Sequence, residues 1–113
     1  SWDATGCRTD CSWFGFKIAV KPTAPFTRTE LAKELDRNLI GNRMLFGGNL
    51  IRQPAFVDII KHQPDAFRVA AITSGSDEIM ISSLFLGTYP GLTAEMLNAE
   101  ISSIKRFVAN NTK

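Results

Sequence analysis

The first regular pattern starts at Ser12. In "SWFGFKIAVK", Phe14, Phe16, Ile18 and Val20 alternate with Gly15, Lys17, Ala19 and Lys21, the period of a half-buried strand. Pro22 and Pro25 end it. In "FTRTELAKELDRNLIG", Thr27 and Glu30 stand at capping-box spacing, with Phe26 and Leu31 placed as a hydrophobic staple. Leu31, Leu35 and Leu39 recur on one face of a helix that Asn38 or Gly41 would close. "QPAFVDIIKH" puts Pro54 where a first helical turn accepts it, predicting a short helix to about His62 and then a Gln63–Pro64–Asp65 turn. "FRVAAI" reads as a brief strand. "GSDEIMISSLFLGTYPGL" predicts a helical turn capped by Ser76, then a strand through Leu84, Phe85 and Leu86, broken at Gly87, Pro90 and Gly91. A last helix is capped by Thr93 and buries Leu97, Ile101, Ile104 and Val108. Few strands and two strong helices predict an α+β fold, a small antiparallel or mixed sheet covered by two main helices.

At 113 residues the chain predicts one domain, 13–113, preceded by a polar, aperiodic and flexible segment, 1–12. A charge of +2, from 13 basic and 11 acidic residues without any block of one sign, gives no footprint for nucleic acid or an anionic membrane. Apolar runs are too short to span a bilayer, and no secretion leader is visible. The chain is therefore expected in the cytoplasm. Cys7 and Cys11 with one distant His62 make a poor metal set, and free thiols are the simpler reading.

No Ser/His/Asp pattern, zinc-protease motif, phosphate-binding loop or dinucleotide fingerprint occurs. His62 reads as a solvent-facing helix end. Asp77 and Glu78 are adjacent, so they suit a helix N-terminus better than an acid/base pair. No catalytic residue and no metal site is therefore assigned. Two stretches remain. "FGGNLIRQP" sets Asn49, Arg52 and Gln53 in an apolar frame beside Gly47 and Gly48, which permit close backbone approach. "GTYPGLT" holds Tyr89 in a turn between strand and helix. A structured turn is the simpler compositional reading of both, and Arg52 could equally pair with a surface carboxylate.

"SWFGF", "IGNRMLFGGNLIRQPAF", "FRV", "D-x-I-M" and "GTYPGLT" occur here in an order and spacing that resemble one family. It is that of the nucleotide-sugar 3-dehydrases of lipopolysaccharide synthesis, of the CDP-4-keto-6-deoxyglucose 3-dehydrase type. These belong to the fold-type I, vitamin-B6-dependent sugar aminotransferase and dehydrase superfamily. The likeness runs from about Ser12 to Val108 and is to the C-terminal small domain. It implies a bacterial enzyme, a lyase, whose large domain holds pyridoxamine 5′-phosphate and the catalytic groups. This chain would then hold no cofactor and would not be catalytic alone. It would form a wall of the sugar-nucleotide site, with Asn49, Arg52, Gln53 and Tyr89 as the binding residues. Its partner would be the large domain, joined to it or separate, or a second copy through Phe46, Leu50, Ile51 and Phe56. The alternative is a free-standing interaction module descended from such a domain. Where the family reads Asp-Arg-Ile-Met, this chain reads Asp77-Glu78-Ile79-Met80.

Overall fold

The computed structural model describes residues 11–112. Cys7 and most of the segment 1–12 lie outside them, while Cys11 is an exposed free thiol. The elements are β1 (Gly15–Ala19), α1 (Arg28–Arg37), β2 (Asn42–Met44), a short 3-10 turn (Leu50–Arg52), α2 (Pro54–His62), a second such turn (Pro64–Ala66), α3 (Ser74–Ser82), β3 (Ser83–Gly87) and α4 (Ala94–Asn111). The fold is α+β, with one three-stranded antiparallel sheet in the order β1-β3-β2.

Register explains the core. Phe16 and Asn42 flank Leu86, and Ile18 and Met44 flank Leu84, so these residues share one face. That face receives α1 and α4: Leu84 and Leu86 pack with Leu31, Ala32 and Leu35, and Ile18, Val20, Ile40, Ile104 and Phe107 close around them. α1 starts where its capping box predicts. The Glu30 amide donates to Thr27 Oγ1 at 3.2 Å, and the Thr27 amide donates to Glu30 Oε2 at 2.7 Å. Phe26 meets the Phe107 ring edge-on, with centroids 5.0 Å apart.

Five expectations from the pattern need correction. Leu39 is 95% exposed and left-handed at φ 58. The helix stops at Arg37, and Ile40, after the reversal, takes the core position instead. Phe16 is exposed because α4 leaves an apolar gap of about 280 Å³ over it, and Phe14, ahead of β1, lies against Phe85 on the opposite face of the sheet. "FRVAAI" is irregular: the sheet has three strands, and Val69 and Ile72 lie exposed. α3 begins at Ser74 with Thr73 as its N-cap, so Ser76 is inside the helix. On α4, Thr93 accepts from the Met96 amide at 3.2 Å as expected, but Leu97 and Ile101 are nearly half exposed and only the later turns join the core.

Candidate functional site

The two glycines make a sharp turn after β2. Gly48 is left-handed at φ 62, and a Cβ there would meet Met80 Cγ at 2.6 Å, so α3 packs directly on bare backbone. The turn delivers Asn49 into a buried position, 3% exposed, where its Nδ2 donates to Asp77 Oδ1 at 2.9 Å and to Thr73 Oγ1 at 3.0 Å. One turn on, Arg52 lays its fork along the same carboxylate, Nε to Oδ1 and Nη2 to Oδ2 at 2.7 Å. The Arg52 hydrogen bond first, and the Asn49 bond second, hold the Asp77 carboxyl down at about 2. The same pairing raises Arg52 above its ordinary value. Gln53 turns back on the loop, its Nε2 donating to the Gly47 carbonyl at 2.7 Å.

Three of the residues marked from sequence are thus gathered at one corner, and two of them converge on Asp77. Tyr89 stands apart on the β3–α4 loop, where its ring leans on Gly91 and its hydroxyl lies 3.9 Å from Met96 Sδ. Asp77 was noted from sequence only as a helix-terminal acid, and Thr73 was not marked. A buried Asn and an Arg fork in an apolar frame require acceptors, and that requirement is the signal that points to a carboxylate. His62 closes α2 and is exposed, with Nδ1 2.9 Å from the Asp58 carbonyl. Among the described residues no group of three His, Cys, Asp or Glu could hold a metal ion, and no helix is long and apolar enough to cross a membrane.

One further cation was not marked from sequence. Arg28, the first residue of α1, donates through Nη1 to the Met80 carbonyl at 2.9 Å. It lines a cavity of about 210 Å³ with Phe46, Gly47, Gly48 and Gln53.

No protein-family model matches the chain. Similarity to whole proteins is nevertheless extensive. Over 104 residues, 92% of this chain, it is 42% identical to the lipopolysaccharide biosynthesis protein RfbH of Salmonella typhimurium. Over the same length it is 38% identical to dTDP-4-dehydro-2,6-dideoxy-D-glucose 3-dehydratase of Saccharopolyspora spinosa. The chain resembles a small part of a nucleotide-sugar 3-dehydratase. It spans only about a fifth of each relative, 22% and 21% of their lengths, so the corner at Asp77 is matched to one portion of a much larger body.

Proposed function

We propose that this chain is the small domain of a nucleotide-sugar 3-dehydratase. In this reading residues 13–113 form a wall of the sugar-nucleotide site, and a cofactor-bearing body, covalently joined or separate, supplies the chemistry in the cytoplasm. The observation that carries the reading is the mismatch of coverage. Nearly all of this chain aligns at 42% identity with barely a fifth of a biosynthetic protein.

The residues present do not build a cradle for pyridoxamine 5′-phosphate by themselves. Arg52, whose fork would suit a phosphate, is already matched to Asp77. No chemical step is therefore assigned to this chain. Its contribution is to position and enclose, with Asn49, Arg52 and Gln53 fixing the glycine turn at the edge of the site and Tyr89 lying on the neighbouring loop.

The test is to express the whole protein encoded around this segment, add pyridoxamine 5′-phosphate, and follow loss of the 3-hydroxyl from a 4-keto-6-deoxy nucleotide sugar. Turnover by the longer protein and none by residues 1–113 is expected. A reading frame that opens at Ser1, with no large-domain protein binding the chain, would replace this reading with the interaction module.

A further inference from the structure

The sheet face turned away from α1 and α4 holds features that the Asp77 corner does not absorb. Cross-strand register sets Lys17, Phe85 and Arg43 in one row there. Lys17, Arg43 and Gly87 are all exposed. The Phe85 ring folds over Gly15, where a Cβ would meet Phe85 Cδ2 at 2.5 Å, so it is the bare glycine that lets the ring lie along the sheet. Phe14 and Phe46 close on the same ring, with centroids 5.6 and 6.0 Å from it and 5.9 Å from each other. Both outer rings are nearly bare, at 72% and 75% exposed.

Phe46 sharpens the point. Its backbone is left-handed at φ 49, a conformation that is unfavourable for a side chain with a Cβ. Burial does not compensate for it within this chain, because the ring is exposed. The charges are equally unanswered. Among the described residues the ion pairs are Arg37–Glu34, Arg52–Asp77 and His62–Asp58, and neither Lys17 nor Arg43 joins one. Arg43 also borders a shallow concavity of about 230 Å³ with Asn42, Phe85 and Gly87.

We propose that this face binds a nucleoside diphosphate, its base stacked on the Phe14–Phe46–Phe85 rings and its diphosphate held by Arg43 and Lys17. The inference rests on the nucleotide-sugar reading above and moves the nucleotide contact from the glycine corner to the open sheet. An aromatic platform takes any base through its π-face. A guanidinium fork matches phosphate oxygens, and the lysine adds a mobile point charge. The two cations stand two strand spacings apart, about 10 Å, on either side of Phe85. Their long side chains can therefore converge on a diphosphate lying beside the ring. Arg52 is less available for it, since its Nε and Nη2 already donate to Asp77 and that carboxylate offsets its charge.

Titrating thymidine diphosphate into the 15N-labelled full chain at low salt tests this. Amide shifts are expected at 14–17, 42–46 and 85–87, with a millimolar Kd. Thymidine and inorganic pyrophosphate, each alone, should bind at least tenfold more weakly. Arg43→Ala should weaken the nucleotide about tenfold and Arg43→Lys less. The spectrum of each variant reports whether it is folded. Shifts confined to 49–53 and 77 would overturn the sheet site yet leave the dehydratase reading standing. No shift at several millimolar nucleotide would also overturn it, and would point to a protein surface as the occupant of the face. Turnover by the longer protein is measured independently of both outcomes.

Discussion

Asp77 receives donors from two sides, Arg52 and Asn49, and the consequence is a pH dependence with a definite sign. Its carboxyl sits at about 2 in the fold against an ordinary 3.8. A carboxyl depressed by folding contributes stability that is fully present above the unfolded pKa and is lost as pH falls through the folded one. The corner should therefore hold above about pH 4 and loosen between about 4 and 2. A carbon-detected titration of the Asp77 carboxyl is expected to show a midpoint well below the ordinary 3.8. Arg52→Ala, removing the larger cause, should bring Asp77 back toward the ordinary range. A midpoint near 4 in the unaltered chain would show that the corner does not form in solution. From sequence, Asn49 and Arg52 were legible as polar groups in an apolar frame. Their acceptor was not, because it comes from 25 to 28 residues away on a helix of weak pattern.

Among the elements, the parts that were legible carry their signals locally. Thr27 with Glu30 and Thr93 with the Met96 amide are caps written within four residues, and both form. Pro54 opens α2 as expected, and the Leu84–Leu86 stretch is the central strand. What failed depended on partners elsewhere. Whether Phe16 is buried depends on how closely α4 lies over the sheet, and Phe14 leaves the strand for the other face against Phe85, neither of which their alternation can state. Leu39 keeps the helical period, yet the chain has already reversed. The glycine turn gives the sharpest test at this scale. Gly48→Ala forces a Cβ into a left-handed residue, disfavoured by about 1–2 kcal/mol, and against the Met80 side chain at 2.6 Å. A loss of about 2 kcal/mol in urea denaturation is expected. Gly47→Ala should lose less than half as much, since its Cβ meets only Leu50 Cδ2 at 3.0 Å and its φ is not positive.

As a whole, the molecule is open for its length. Its radius of gyration is 17.6 Å, with extents of 53 × 38 × 26 Å, whereas a compact chain of this length would have about 13 Å. The excess has a visible source. α2 packs chiefly on the two short turns that flank it, with Phe56 against Phe67 at 5.7 Å, so the stretch from Leu50 to Ile72 is here called an arm, anchored at its start by Arg52 on Asp77. Of the four residues expected to form an adhesive patch, Phe46 and Leu50 are exposed, while Ile51 and Phe56 are half-buried. Val57, Val69 and Ile72 extend the apolar surface along the arm. Such a surface is what a domain shows when the body it packs against is missing, in keeping with relatives more than four times as long. The isolated chain should therefore self-associate, its weight-average mass rising above the monomer value between about 10 and 500 µM in sedimentation equilibrium. Leu50→Glu places a charge at the root of the arm and should return the mass toward the monomer without lowering the urea midpoint, because Leu50 is 57% exposed. Salt separates the cause from simple charge attraction: apolar association persists as ionic strength rises, whereas pairing of exposed charges weakens. A clean monomer at the highest concentration would mean that the arm and the bare sheet face are tolerated in water, and that their exposure says nothing about a partner.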